Sequence, residues 1–320
     1  MQETHAAGKN ANFQCASPFS IEDLEIFDDE TLRLILAKRA SGITIEKLAH
    51  SLQGVNKHLL QRIEQNLSPS LRSTFMYELH NPVSKAYIES DRCIVLDALF
   101  WELTYWKTPE LYDELIEGEQ LHPAIFQQIE PDINDKIVLD VGAGSGRATF
   151  ECVKYSASKV YAVDPSPGLL RILRQKIDRH AKSCPIIPLR GHFNSLPLPD
   201  KSVDTALSCS AFTSDPIQGG EPGLAEFRRV IKPGGKLFII WPRTEDHEWL
   251  NEHNFSYVVI PVNEEMRIHF RTIESALRFV QRFYANNAKA IDYIIRVRSP
   301  DIPFSIVDLN PPCDYYWLKM

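Results

Sequence analysis

The sequence has little that would direct it to a nucleic acid or a membrane. Its 35 lysines and arginines are outnumbered by 42 aspartates and glutamates, giving a net charge of -7, with no run of like positive charge. A duplex nucleic-acid binder usually carries a basic stripe, so we expect no nucleic-acid partner. No apolar stretch approaches the roughly 18–20 residues that cross a bilayer. The densest, Cys93–Trp101, is short and contains Asp97, so we expect no membrane partner either.

Cysteines are few and scattered. The six of them show neither metal-ligand spacing nor the spacing of a disulfide framework, and no close triplet could hold an iron–sulfur cluster. The first residues, MQETHAAGKNANFQ, have no apolar core and no small-residue cleavage site, unlike a secretory signal. We therefore expect a cytoplasmic protein with reduced thiols and no metal site.

What the chain does have is the composition of a globular protein. Of its 320 residues, 44% are hydrophobic and 24% are charged, which excludes a disordered chain. The length suits roughly two domains. We predict a flexible tail over residues 1–19, a helical domain over 20–106 and a second domain over 107–320.

The first of these domains has a helical pattern with clear start signals. Thr44 and Asn56 stand where helix N-caps are expected, each ahead of an apolar stripe of helical spacing, and Ser68–Pro69 marks another helix start. Val83–Trp106 is predicted as one longer helix. Short amphipathic helices cannot bury their stripes alone, so we expect a small bundle.

Three stretches of this domain resemble the helical repeats of the flagellar motor-switch protein FliG: Phe27–Arg39, the short amphipathic helix that follows and ends in Leu52–Gly54, and Leu59–Leu79. The resemblance implies a right-handed stack of helix pairs used for protein contacts, hence a protein partner or self-association. It implies no flagellar role, because the rest of the chain differs. An unrelated bundle of four or five helices is the alternative.

After Pro109 the pattern changes. Leu111–Gln128 is still predicted as helix, but beyond it short apolar segments alternate with helical ones, which indicates parallel strands joined by crossover helices. Ser256–Pro261 and Met266–Phe270 are predicted as an antiparallel pair that completes the sheet. The expected fold is α/β, a doubly wound, Rossmann-like, mostly parallel sheet of seven strands preceded by an all-α domain. The five central strands are Lys136–Val141, Val160–Asp164, Ile186–Arg190, Val203–Ser208 and Lys236–Trp241.

The most informative segment is VLDVGAGSGRATF, Val138–Phe150. A buried strand brings Asp140 to the carboxyl edge of the sheet, and a glycine-rich turn follows, where a ligand can touch the backbone. A dinucleotide fingerprint would need its third glycine one residue later than Gly146, and an acid before the first glycine would repel a pyrophosphate. The segment resembles the first motif of class I S-adenosylmethionine-dependent methyltransferases. That resemblance implies a loop around the methionine half of the cofactor, with Asp140 attracting its ammonium group.

Three further segments follow in matching order. Asp164 ends the second strand, 22 residues after Gly142, where a carboxylate can accept hydrogen bonds from both ribose hydroxyls; capping the next helix is the alternative. Gly191–Asp204 resembles the methyltransferase segment whose first acid receives the adenine amino group, but the residue here is His192, so the Phe193 backbone amide is the preferred contact. Gly223–Pro242 resembles the segment after the fourth strand and is predicted to be structural.

The resemblance implies two sets of site residues and no metal. Aromatic residues ahead of the first strand are predicted to form a lid, with an aromatic core as the alternative. The cofactor set is Asp140, Gly142, Ala143, Gly144, Gly146, Asp164, Pro165, His192, Phe193 and Ser208. The substrate or lid set is Tyr105, Trp106, Tyr112, Phe212, Trp241 and His247.

The predicted function is methyl transfer from S-adenosyl-L-methionine to a small-molecule acceptor by in-line displacement. Such a displacement depends mainly on alignment and exclusion of water, so no catalytic residue is assigned. The alternatives are a nicotinamide-dependent oxidoreductase and a non-catalytic adaptor that binds a nucleoside.

Overall fold

The computed structural model describes residues 17–37, 43–180, 184–284, 287–307 and 313–320. Most of the predicted tail, residues 1–16, lies outside the described residues. The chain divides into two units, Met1–Leu103 and Thr104–Met320. Within the described ranges, no helix is both long enough and apolar enough to span a bilayer.

The first unit is helical. Thr44 Oγ1 accepts a hydrogen bond from Lys47 N, and Asn56 Oδ1 accepts one from Leu59 N, which confirms both predicted N-caps. His50 joins three helices, with Nδ1 3.0 Å from Asp91 and Nε2 3.3 Å from Glu78. The helices are α1 (Asp29–Ala37), α2 (Ile45–Ser51), α3 (Lys57–Asn66), α4 (Pro69–His80) and α5 (Lys85–Ala98), followed by α6 (Phe100–Lys107), which runs on into the second unit.

The single helix predicted over Val83–Trp106 is wrong. Leu99 separates α5 from α6, with φ -104° and ψ 14°, and its side chain is buried. No proline or glycine stands near this break, so no local signal in the sequence predicts it. Leu111–Gln128 is likewise two helices, because the second one begins at Pro123.

The second unit is a seven-stranded sheet with helices around it, as predicted. The strand order is β3-β2-β1-β4-β5-β9-β6, and β9 is antiparallel to both of its neighbours. The strands are β1 (Ile137–Val141), β2 (Lys159–Asp164), β3 (Ile186–Arg190), β4 (Val203–Cys209), β5 (Ile231–Ile240), β6 (Ser256–Val259), β7 (Arg267–His269), β8 (Asp301–Pro303) and β9 (Asp314–Lys319). The helices are α7 (Pro109–Gly118), α8 (Pro123–Ile129), α9 (Arg147–Lys154), α10 (Pro167–His180), α11 (Gly220–Val230), α12 (His247–Glu252), α13 (Ile273–Phe283) and α14 (Ala288–Val297).

The antiparallel pair predicted from Ser256–Pro261 and Met266–Phe270 does not form. Instead β6 pairs with β9, and β7 pairs with β8 in a separate two-stranded sheet. The missed strand β9 has the sequence DYYWLK, a run of aromatic and apolar residues without the alternation that marks a half-buried strand.

The first strand has buried side chains on both of its faces. Val138 belongs to one apolar cluster, whereas Leu139 and Val141 belong to the cluster on the opposite side of the sheet. Because side chains alternate along a strand, Asp140 lies on the face of Val138. The same alternation puts Asp164 of β2 on the face of Ala162, which shares the Val138 cluster. Both acids therefore lie on one face at the carboxyl edge of adjacent strands.

Candidate functional site

Asp140 is buried at the tip of β1. It is 1% exposed, and its Oδ2 accepts a hydrogen bond from Thr149 Oγ1 at 2.6 Å. Its second oxygen, Oδ1, is also buried and has no hydrogen-bond partner among the described residues. A buried carboxylate oxygen without a donor is costly, so it marks a position that a ligand donor would stabilise.

The glycine-rich turn brings bare backbone next to this acid. Gly142 has φ 75° and Gly144 has φ 56°, both in the left-handed region that favours glycine. A Cβ on Gly142 would lie 2.4 Å from Ala211 Cβ, so the close approach of these two segments requires a glycine. The backbone N–H groups of Gly142 and Ala143 both donate to Val163 O, which ties the turn to the neighbouring strand.

Asp164, at the tip of β2, is held by backbone amides. Its Oδ2 accepts from Gly144 N and its Oδ1 from Ser166 N, each at 2.8 Å. The cap of α10 is Ser166, whose Oγ accepts from Leu169 N at 3.2 Å. The alternative role suggested for Asp164, capping this helix, therefore falls to Ser166. Pro165 separates Asp164 from Ser166 along the chain.

Burial dominates the electrostatics of both acids. It raises the pKa of Asp140 to about 7 against the effect of the Thr149 hydroxyl, and it raises the pKa of Asp164 to about 6 against the effect of the Ser166 and Gly144 amides. The charge of Asp164 raises the pKa of Asp140 further. A cation bound near Asp140 would favour its ionised form.

The residues predicted near the adenine lie mainly in packed surroundings. Phe193 is buried, and its ring centroid lies 5.6 Å from that of Phe212 in an edge-on contact. Ser208 is fully buried, and its hydroxyl accepts from Phe212 N at 3.1 Å. His192 is partly buried in the loop after β3. The structure thus gives Phe212 a core position, not one open to a substrate.

The predicted lid aromatics fall into separate places. Tyr105 and Tyr112 pack edge-on, with ring centroids 4.7 Å apart, and Tyr112 lies beside the glycine turn, 3.7 Å from where a Gly144 Cβ would stand. The Trp106 ring lies 5.6 Å from the Arg190 guanidinium. Tyr112 is one of the residues that line the cavity at Asp140, whereas Trp106 is not among them.

The remaining two predicted residues follow β5. Trp241 is buried at the end of that strand, and its Nε1 has no hydrogen-bond partner among the described residues. His247 begins α12, and its Nδ1 lies 3.1 Å from Tyr316 Oη. This histidine is therefore engaged by the last strand of the sheet. No cluster of three metal-ligating side chains occurs in the described part of the chain.

Sequence reasoning missed an ion pair whose arginine lines the cavity at Asp140. Arg147 Nη1 lies 2.8 Å from Glu119 Oε2, and the two side chains are only 11% and 13% exposed. Arg147 directly follows Gly146, the third glycine of the turn. One signal was available: a cation in the first turn of a helix is opposed by the helix dipole, so Arg147 at the start of α9 needed an anionic partner.

Comparison with known proteins identifies a domain family for the segment that contains these residues. Residues 139–239 match the methyltransferase domain family. An uncharacterized methyltransferase-like protein of Schizosaccharomyces pombe is 33% identical over 111 residues, 34% of this chain and 40% of the relative. The demethylmenaquinone methyltransferase of Chlorobaculum tepidum is 33% identical over 116 residues, 36% and 44% of the two chains. The histone-arginine methyltransferase CARMER of Drosophila ananassae is 39% identical over 113 residues, 33% and 20% of the two chains.

The chain thus spans less than half the length of these three relatives. Its matching segment begins inside β1 and ends inside β5, so it contains the glycine turn and both buried acids. Residues 139–239 therefore carry a methyltransferase domain, on a doubly wound, mostly parallel sheet.

Proposed function

We propose that this protein binds S-adenosylmethionine at the tips of β1 and β2 and transfers the methyl group to a small-molecule acceptor. The observation that carries this proposal is the unpartnered, buried Asp140 Oδ1 beside a bare glycine turn, within a methyltransferase domain. An ammonium group would provide the missing donor. The same features disfavour a dinucleotide, whose pyrophosphate would meet a carboxylate.

The residues fit the cofactor in four ways. Asp140 would accept from the ammonium group, and the turn Gly142–Gly146 would give the methionine half room against the backbone. The carboxylate oxygens of Asp164 have lone pairs beyond those that accept the Gly144 and Ser166 amides, and these would accept from ribose hydroxyls. His192, Phe193 and Pro165 would border the adenine.

When bound, the cofactor supplies an activated methyl group on a positively charged sulfur. The work left to the protein is alignment and exclusion of water. Tyr112 and Trp241 are the residues proposed for exclusion, because each is an aromatic side chain beside the crevice, and aromatic faces also attract a sulfonium at about 0.5–2 kcal/mol. His247 is engaged with Tyr316 and is not assigned as a base.

We propose a small-molecule acceptor, as the name of the demethylmenaquinone methyltransferase implies for that relative, whereas the name of the histone-arginine methyltransferase implies a protein acceptor. For the helical unit we propose protein contacts or self-association, as its resemblance to FliG repeats implies, and for the whole protein a cytoplasmic location.

The test is calorimetric titration of the full-length protein with S-adenosylmethionine and with S-adenosylhomocysteine. We expect saturable binding of both at one site. A metabolite extract incubated with protein and cofactor should then yield a product heavier by one methyl group, and a parallel incubation with histones should yield none. Binding of neither compound would exclude the proposal, and methylated histone would replace the acceptor.

The adaptor hypothesis is the second candidate, because His247, the histidine of the predicted substrate or lid set, is engaged with Tyr316 and supplies no free base. The cavity at Asp140, Tyr112 and Arg147 measures about 20 Å³, against about 300–1,000 Å³ for small-molecule pockets, so it must widen to hold the cofactor under either hypothesis. Cofactor binding without any methylated product from extract or histones would favour the adaptor over the enzyme. Fluorescence enhancement of a reduced nicotinamide, with no adenosyl binding, would favour the oxidoreductase.

A further inference from the structure

The guanidinium group of Arg147 is held on several sides. Nη1 donates to Glu119 Oε2 at 2.8 Å and to the Glu119 carbonyl at 3.2 Å, while Nη2 donates to Ser210 Oγ at 3.2 Å. Its central carbon lies 4.8 Å from the centroid of the Trp241 ring. These contacts fix a cation next to the glycine turn, and they come from two strand ends and one inter-helix loop.

Two of those contacting residues have unusual backbones. Ser210 follows β4 with φ 56°, and Trp241 follows β5 with φ 53°, although neither is a glycine. Such left-handed conformations are costly for residues with a side chain and concentrate at functional sites. The adjacent strand ends are thereby shaped so that a hydroxyl and an indole face both meet the Arg147 guanidinium.

Arg147 lines the same small cavity as Asp140 and Ser145. In that cavity, Asp140 Oδ1 and Ser145 Oγ are buried without hydrogen-bond partners among the described residues. A zwitterionic amino-acid group has an ammonium for Asp140 and a carboxylate for a guanidinium. The Arg147 guanidinium lines the same cavity, but Glu119 already pairs with one of its edges.

We propose that Arg147 exchanges the carboxylate of Glu119 for the carboxylate of the cofactor's amino-acid end. This inference rests on the proposed function. The exchange replaces one ion pair at Arg147 by another, so the guanidinium is never left buried without an anion. Arg147 and Asp140 together select ligands that carry both charges, and Glu119 competes with the ligand for Arg147.

The surroundings of the Arg147–Glu119 pair favour the exchange of Glu119 for another carboxylate. Burial raises the pKa of Glu119, with the Arg147 charge opposing the rise. Movement of Glu119 toward water would restore its hydration, whereas Arg147 has the bidentate geometry that suits any carboxylate.

The experiment compares two ligands by calorimetry: S-adenosylhomocysteine and methylthioadenosine, which has the same nucleoside thioether without the amino-acid end. The wild type should bind the first more tightly. R147M should weaken S-adenosylhomocysteine about 30-fold or more, as expected for loss of a charge-assisted pair, and change methylthioadenosine less than about twofold. E119Q should strengthen S-adenosylhomocysteine about threefold to tenfold and leave methylthioadenosine unchanged.

Controls separate this inference from the proposed function. E151Q, which breaks a surface pair of the same helix with Lys154, should alter neither affinity. The double variant E119L/R147M removes both charges and guards against misfolding of the single variant; thermal melts check each protein. If wild type binds both ligands but R147M and the double variant keep the preference for S-adenosylhomocysteine, the exchange is refuted and the proposed function stands. If neither ligand binds the wild type, both are refuted.

Discussion

The tips of the first and second strands carry the same side chain in opposite states. Asp140 and Asp164 are both buried carboxylates on one face of the sheet. Asp164 has each oxygen satisfied by a backbone amide, whereas Asp140 has one oxygen satisfied by Thr149 and the other by nothing among the described residues. One acid therefore holds the loops around it together, and the other keeps a buried oxygen that accepts no hydrogen bond from the described residues.

The two acids therefore differ in structural role, although the sequence motifs assign both of them to cofactor binding. Asp164 joins the glycine turn, through Gly144, to the start of α10, through Ser166, so it contributes to the shape of the crevice even without a ligand. Asp140 contributes an unmet hydrogen-bond acceptor, at a cost to stability. Substitutions at the two tips should accordingly affect folding and binding in different proportions.

The largest effect is expected for D164A. It leaves the buried amides of Gly144 and Ser166 without acceptors, at about 1–3 kcal/mol each. We expect S-adenosylhomocysteine binding to fall at least about 100-fold, and the melting temperature to fall by at least about 5 °C. Differential scanning calorimetry and titration calorimetry measure the two. A variant that loses binding but melts like the wild type would contradict the organising role given to Asp164.

The second expected effect belongs to D140N. The amide keeps an acceptor for Thr149 Oγ1 but loses the charge, so the S-adenosylhomocysteine affinity should fall about 10–100-fold, the range of a charge-assisted hydrogen bond. Melting at pH 8 should be unchanged or higher, because a buried ionised group is removed. Methylthioadenosine, which lacks the ammonium, serves as the control ligand and should bind equally well to both proteins. Equal loss for both ligands would place Asp140 in the fold and not in ammonium binding.

The sequence allowed the two acids to be placed, but it did not predict the difference in their hydrogen bonding. Asp140 and Asp164 are identifiable because each ends a buried strand and is followed by a glycine or a helix-start signal, which are local features. The hydrogen bonds of the two carboxylates depend on the folded turn. The Thr149 hydroxyl reaches Asp140, and the Gly144 amide reaches Asp164, only after the turn has formed. The five central strands were predicted for the same local reason, whereas the pairing of β6 with β9 joins residues far apart along the chain.

The break at Leu99 and the Arg147–Glu119 pair were missed for related reasons. Helical periodicity continues through Leu99 and contains no breaker residue, so only packing ends α5 there. Glu119 and Arg147 are separated by β1 and the glycine turn, and nothing in either local pattern links them. Residues that act through tertiary contacts are the ones that a reading of local motifs leaves out.

A third effect, smaller per unit of pH, follows from the pKa of Asp140. Only its ionised form attracts an ammonium, so with a pKa of about 7 the affinity for S-adenosylhomocysteine should rise from pH 5.5 to 7 by at most about tenfold per unit and then level off. D140N should show no such rise. Titrations at matched ionic strength measure it, and a pH-independent affinity in the wild type would contradict the assignment.

Stability should move in the opposite direction over the same range. The folded pKa of Asp140 is raised above its ordinary value of 3.8, so between about pH 4 and 7 the folded state keeps a proton that the unfolded state has lost. The Asp140 contribution to stability is therefore largest below pH 4 and declines as pH rises to about 7. Asp164, with a pKa of about 6, acts in the same sense. Thermal melts of wild type and D140N should converge at low pH and separate at high pH.

The smallest expected effect is that of T149V. Thr149 Oγ1 donates to Asp140 Oδ2 at 2.6 Å and so favours the ionised carboxylate. Hydrogen bonds to charged groups contribute about 1.5–3 kcal/mol and one pKa unit corresponds to about 1.4 kcal/mol, so removing the hydroxyl should raise the pKa of Asp140 by about one unit. S-adenosylhomocysteine would then bind about fivefold more weakly at pH 7 and regain wild-type affinity near pH 9. T149S keeps the hydroxyl and should follow the wild-type profile. A uniform loss at every pH would mean that Thr149 acts by packing, and that the difference between the two strand tips does not depend on this hydrogen bond.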